Sequence, residues 1–198
     1  MYYYYYPSLS TIYVISDDLK MTSVYVWGNH LCSNKNGFQD TLHQLIRRHT
    51  KLYNPAYHYE PKIDKDAIDR LKENLRPWPA ILVIVLDSTN LKKDESILQF
   101  LEHFQNIHRT LVNYPNYQVV TCGIIPPQAP TSLQQVRLKS LDCHLQQLLE
   151  LHEGTYIPLF NYFDYADYVT NYELNYRGSV KLAGAIVRVL RRLEIWNS

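Results

Sequence analysis

At 198 residues the chain is long enough to bury a full core and short enough to form one domain. Hydrophobic residues make up 46% and charged residues 20%, the ordinary balance of a globular protein. A formal net charge of +1 excludes a whole-protein basic field, so nucleic-acid binding needs a local cationic patch.

The N-terminal stretch, Met1, then Tyr2–Tyr6, then Pro7, lacks the basic region and the long aliphatic core of a secretory signal. No apolar stretch approaches the length of a membrane span. The expectation is therefore an intracellular, cytoplasmic protein that does not engage a membrane. Residues 1–21 are expected to be a tyrosine-rich tail with a possible edge strand at Ser10–Ser16, and residues 22–198 to be the domain itself. The eighteen tyrosines are the one compositional oddity. Tyrosine stacks on bases and sugars, but it also packs at half-buried positions, which is the commoner reason for its presence.

Val24-Tyr25-Val26-Trp27 reads as a buried strand, predicted over Thr22–Gly28, and Asn29-His30-Leu31 leads from it toward a helix. In an open α/β sheet ligands sit at the carboxyl ends of strands, so a site is expected at Gly28–Leu31. Phe38, Leu42, Leu45 and Ile46 set a helix over Phe38–His49. Tyr53–Tyr59 is a weak strand because Pro55 interrupts it. Asp64–Leu75 opens with acids and carries Ile68, Leu71 and Leu75 on one face, a helix that Pro77 and Pro79 end. Ala80–Leu86, AILVIVL, is continuously apolar, as a central parallel strand must be.

Ile97, Leu101, Phe104, Ile107 and Leu111 predict a helix within Asp94–Val112. Gln118–Ile125 is a further buried strand, stopped by Pro126-Pro127. A helix over Leu133–Leu151 is expected to turn Leu133, Leu141, Leu145 and Leu148 inward. Thr155–Phe160 is a last short strand, Asn161–Tyr176 an aromatic loop, and Gly178–Ile195 a final amphipathic helix. Strands alternating with helices argue for a parallel sheet covered on both faces by right-handed crossovers.

Cys32, Cys122 and Cys143 are odd in number and show no CxxC spacing, which argues against a disulfide framework or a zinc site and for a reducing compartment. Cys122 lies in the apolar run Val119–Ile125 and reads as a small buried hydrophobe. The eight histidines form no HxH or HExxH set, and such scattered histidines are usually solvated surface. No metal and no cofactor are expected.

From about Thr22 to the C-terminus the chain resembles the SGNH (GDSL) hydrolase superfamily. Gly28-Asn29-His30-Leu31 is similar to the family's GDSL block, and Val83–Asn90, VIVLDSTN, to the strand carrying its GxND block. Val119–Pro127, VVTCGIIPP, is similar to the fourth strand and its exit, and Leu174–Ile186, LNYRGSVKLAGAI, to the segment after the DxxH block. The resemblance implies a three-layer α/β/α sandwich with a mostly parallel, flavodoxin-like sheet.

It also locates departures from the family pattern. His30 stands where the family has its nucleophilic serine, and Asn29 stands for the preceding acid. Asp87, Thr89 and Asn90 replace the glycine, asparagine and aspartate of the GxND block. The family's last aspartate and histidine fall on Thr170 and Glu173, and no glycine lies between Gly37 and Gly123 to supply the second block's oxyanion donor. Acyl transfer needs an activated nucleophile, a base and oxyanion donors together. No catalytic residue is assigned, and the straightforward expectation is a pseudoenzyme. A rewired site in which His30 and Glu173 face each other is the alternative; it offers a possible base but no nucleophile.

Nucleic-acid candidates are Arg47, Arg48 and Lys51 at the end of the first helix, and Lys181, Arg188, Arg191 and Arg192 on the last. Cations near helix C-termini also favour the macrodipole, which explains many such clusters without a ligand. The expected partner is RNA or a protein, by analogy with the C-terminal domain of Oskar, a catalytically dead SGNH-like domain that binds RNA. A divergent esterase or acetylesterase is the runner-up and a carbohydrate-binding descendant the third reading.

Overall fold

The computed structural model describes residues 23–28, 36–52, 55–60, 63–75, 80–89, 97–114, 117–152 and 154–196. The tyrosine-rich tail and the expected edge strand at 10–16 lie outside these residues.

Strand β3 (Ala80–Asp87) is buried at every position, and its side chains alternate between two cores. Ile81, Val83 and Val85 point into one core, while Ala80, Leu82, Ile84 and Leu86 point into the other. This two-residue period explains why the run is apolar throughout: neither face meets water. The first core is completed by Phe38, Leu42 and Ile46 of α1 (Phe38–His49) and by Leu182, Ala183, Ile186 and Leu190 of α5 (Tyr176–Trp196). The second is completed by Leu71 of α2 (Ala67–Asn74), Phe100, Phe104 and Ile107 of α3 (Ile97–Val112), and Leu138, Leu141 and Leu145 of α4 (Ser132–Leu151).

The sheet has five parallel strands in the order β2-β1-β3-β4-β5, with β1 at Ser23–Gly28, β2 at Ala56–Tyr59, β4 at Tyr117–Ile125 and β5 at Thr155–Ile157. The chain moves outward from β1 to β2, then reverses to build β3, β4 and β5. Crossovers of one hand place α1 on one face and α2, α3 and α4 on the other once the direction reverses. The reversal leaves a switch point between the carboxyl ends of β1 and β3, at Gly28 and Asp87.

Predicted and observed elements agree in kind, and the differences have local causes. β5 ends at Ile157 because Pro158 has no N–H for a ladder. β2 begins only after Pro55 and lies at the sheet edge, where proline is tolerated. Leu133, expected inward, is 70% exposed. A capping box fixes the start of α4: the Thr131 Oγ1 accepts from the Gln134 N–H at 3.2 Å, and the Gln134 Oε1 accepts from the Thr131 N–H at 2.9 Å. Five residues separate Leu133 from Leu138, which opens the buried stripe, so the two point about 140° apart around the helix. Among the described residues, no helix is long and apolar enough to cross a membrane.

Candidate functional site

At the switch point β3 ends in a carboxylate. Asp87 is 2% exposed, and its Oδ1 accepts from the Thr89 N–H at 2.8 Å and from the Thr89 hydroxyl at 2.6 Å. This is the turn chemistry that aspartate supplies two residues ahead of a backbone N–H. The Thr89 hydroxyl therefore directs its proton into the turn, toward Asp87. Between them, the Ser88 N–H donates to the Ile125 carbonyl at 3.0 Å and ties the ends of β3 and β4 together.

Loop 161–175 closes over the same edge and is held to the exit of β4. The Tyr168 hydroxyl donates to the Pro126 carbonyl at 2.9 Å, the Gln128 N–H donates to the Asn171 carbonyl at 2.7 Å, and the Ala129 N–H donates to the Asn171 Oδ1 at 2.9 Å. Burial first, and then the charges of Asp167 and Asp87, push the Tyr168 phenol well above its ordinary value. Within the loop Tyr168 bridges Leu174 in antiparallel fashion, and the Val169 N–H donates to the Glu173 carbonyl at 2.8 Å. Asn175 then opens α5, its Oδ1 accepting from the Gly178 N–H at 3.0 Å.

The structure thus brings Asp87, Thr89 and the loop that carries Thr170 and Glu173 to one edge. Glu173 is half-buried two residues before Asn175. Thr170 sits exposed in the loop, with its hydroxyl accepting from the Tyr172 N–H at 3.4 Å. Asn29, His30 and Asn90 lie outside the described residues, and so does the proposed His30–Glu173 contact. Cys122 is fully buried, and burial raises its thiol well above the ordinary value, so it is packing material and no nucleophile.

Four charged side chains that the sequence reading did not connect stand beside this loop. Asp167 is fully buried, and its Oδ2 accepts from the Lys181 Nζ at 2.6 Å and from the Asp164 N–H at 2.8 Å, while the Arg177 Nε lies 3.1 Å from its Oδ1. Lys181 also reaches the Asp164 Oδ2 at 2.9 Å. Burial alone raises the Asp167 carboxyl, but the Lys181 and Asp164 hydrogen bonds and the charges of Lys181 and Arg177 outweigh it and hold the group below its ordinary value. The signal available in the sequence was the pair Arg177 and Lys181, four apart on one helix, following two aspartates three apart.

Lys181 is therefore a correction to the cationic patch: it is committed to two carboxylates and holds the loop to α5. The remaining candidates gather elsewhere. α1 and α5 pack side by side, and Gly37, just before α1, lies against Tyr176 at the start of α5. Both helices run from the carboxyl edge of the sheet toward the amino edge. Arg47, Arg48 and Lys51 at the end of α1, and Arg191 and Arg192 in the last turns of α5, are exposed, as is Arg188 a turn earlier on α5. The Arg188 guanidinium donates to the Tyr162 hydroxyl at 2.5 Å and lies 5.7 Å from the centre of that ring. Asp40 stands in the first turn of α1, at the opposite end from Arg47 and Arg48.

Gly178 locks the loop in place by its size. A Cβ built there would collide with the Asp167 carbonyl oxygen and come within 3.0 Å of the Leu174 Cδ2. Because the first obstacle is backbone, Gly178→Ala is expected to lower stability by about 2 kcal/mol in denaturant unfolding.

No family model and no curated protein matches the chain. Solved structures do match, at low identity. One is Est24, a carbohydrate acetylesterase from Sinorhizobium meliloti, with a TM-score of 0.69 and 11% identity over 87% of this chain and 99% of that one. A second is a member of the lipolytic G-D-S-L family from Veillonella parvula, with a TM-score of 0.69 and 8% identity over 86% of this chain and 99% of that one. A third is the M. smegmatis aryl esterase, with a TM-score of 0.68 and 12% identity over 87% and 99% of the two chains. With the strand order, the switch point and the loop capping the last helix, these likenesses establish that the chain has the fold of the SGNH (GDSL) hydrolases.

Proposed function

We propose that this chain is a catalytically inactive SGNH-hydrolase-like domain that acts as a binding module for RNA or a protein partner. The observation that carries the reading is the Asp87–Thr89 turn. Where the family presents a neutral donor to the developing oxyanion, this chain directs the Thr89 hydroxyl into a buried carboxylate. A hydroxyl already donated to Asp87 is not aimed at an oxyanion forming above the sheet edge. The sequence adds His30 for the serine and Glu173 for the histidine, so nucleophile, base and donor depart together.

The surface for a partner is the cationic cluster at the ends of α1 and α5. Retention of single-stranded RNA by the purified chain is expected to fall steeply with salt. The double variant Arg188→Ala/Arg192→Ala is expected to bind more weakly and to flatten the salt slope by about one unit for each phosphate it no longer neutralises. Salt-independent retention, or retention unchanged in the double variant, would remove RNA and leave a protein partner.

The second reading, a divergent esterase, is favoured by the solved neighbours, whose names are those of acetyl and aryl esterases. It requires a nucleophile at the carboxyl edge other than Cys122. Turnover of a simple acetyl ester is the measurement that separates the two.

A further inference from the structure

We propose that His108 and His152 form a two-imidazole site for a divalent transition-metal ion at the amino edge of the sheet, opposite the cleft. A cavity of about 180 Å³ opens there between the starts of β4 and β5 and the ends of α3 and α4, lined by His108, His152, Tyr117, Gln118, Gly154 and Thr155. His108 is 3% exposed, and its Nε2 has no hydrogen-bond partner in the structure. A buried ring nitrogen without a partner is costly and calls for an explanation. Histidine expected at the surface is here sunk into the wall of a cavity, with its ring 5.5 Å from that of Phe104.

The two imidazoles have centroids 6.4 Å apart and planes inclined by 26°. A ligating nitrogen lies about 2.0–2.1 Å from a metal ion, which puts the ring centre roughly 3.2 Å from it. Two rings sharing one ion therefore have centroids no more than about 6.4 Å apart. That limit is reached only when the two nitrogens stand opposite each other. At the tetrahedral angle of zinc the centroids lie about 5.2 Å apart, so His152, exposed at the C-cap of α4, has to turn inward by roughly 1 Å to share the ion.

The surroundings select the sign and the type of ligand. α3 and α4 both end at this edge, so two negative helix termini face the cavity and favour a cation. The unpartnered Nε2 leaves the buried His108 ring a nitrogen through which a neutral imidazole ligates metal. Neutral imidazole prefers zinc, copper or nickel to magnesium or calcium. Gly154 keeps the approach open: a Cβ there would lie 3.3 Å from the His108 Cε1 and 2.8 Å from the Leu149 Cδ2. Among the described residues no group of three or more His, Cys, Asp or Glu converges on a metal, so solvent completes the coordination of this ion.

Calorimetric titration of the full chain with zinc chloride at neutral pH tests this. Saturable binding is expected, weakened at least about tenfold in His152→Gln, the loss that removing even an outer partner of a metal site produces. His144→Gln, exposed on α4 and away from the cavity, is expected to bind as the natural chain does. With copper(II), the electron paramagnetic resonance spectrum is expected to show coupling to two imidazole nitrogens in the natural chain and to one in His152→Gln. Because His152 is exposed, that variant keeps its fold, and its circular dichroism checks this. Absence of zinc binding, binding undiminished in the folded His152→Gln variant, or loss in His144→Gln would each overturn the site.

Discussion

Purified protein is expected to hydrolyse p-nitrophenyl acetate no faster than buffer, and His30→Ser is expected to leave it there. The reasoning follows the parts of acyl transfer in turn. Losing the triad of a serine hydrolase costs about a millionfold, and what remains comes from the oxyanion hole and substrate binding. On the function proposed above, that remainder is lost as well. The Thr89 hydroxyl is turned into Asp87 at the end of β3, so on this reading it is not aimed at a developing oxyanion. On the proposed alignment with the family, a serine restored at position 30 would still lack the family's histidine and acid, whose places fall on Glu173 and Thr170. Turnover by the natural chain that disappears in His30→Ala would establish the esterase reading. Turnover gained by His30→Ser alone would show that the Thr89–Asp87 bond does not disable the oxyanion site.

The architecture was legible because β3 is apolar on both faces. Alternation between two cores leaves no polar position in Ala80–Leu86, and only a central parallel strand demands that. The boundaries of α1 were legible for a different reason. Phe38, Leu42 and Ile46 recur at helical spacing, and the turn that precedes them ends in Gly37, the residue with a positive φ of 70°. Leu133 was misread because a leucine in the first turn looks like one in the stripe until the cap fixes the phase of the helix. The extent of β5 turned on a single missing N–H at Pro158.

The site was legible as a place and not as a set of contacts. Sequence order put His30, Thr89 or Asn90, and Glu173 or Asn175 on one edge, since each follows a strand or precedes a helix there, and of these His30 and Asn90 lie outside the described residues. It did not show the Thr89 hydroxyl turned into Asp87, because a threonine two residues past an aspartate is common in solvated turns. Nor did it separate Lys181 from Arg188, which share a helical face seven residues apart. What separates them is the loop: Asp164 and Asp167 are folded onto the first turns of α5, while Arg188 lies two turns further on against Tyr162. Nothing local to His108 distinguished it from other histidines either. Its burial comes from Phe104 beside it on α3 and from His152, more than forty residues on in sequence.

That buried ring sets the second large effect, a loss of stability in mild acid. His108 titrates near 6.5 when unfolded and is held down to about 4 in the fold, by burial first and by the charge on His152 second. Between those values the unfolded chain binds the extra proton, so the stability is fully present above pH 6.5 and falls as the pH drops toward 4. Integrated to pH 4.5, a single group with this shift removes about 2.5 kcal/mol, a large fraction of the margin of a domain this size. Asp167 acts in a lower window: its carboxyl is held below the ordinary value, so its contribution is lost only as the pH falls below about 4. Urea unfolding at pH 7 and at pH 4.5 therefore isolates the histidine. The natural chain is expected to lose about 2.5 kcal/mol between the two, and His108→Gln, which cannot take up the proton, is expected to lose markedly less. His152→Gln is expected to fall between them, because it removes the neighbouring charge and leaves the burial. Equal losses in the natural chain and in His108→Gln would mean that the ring is already solvated at neutral pH, which the contact with Phe104 and the unpartnered Nε2 contradict.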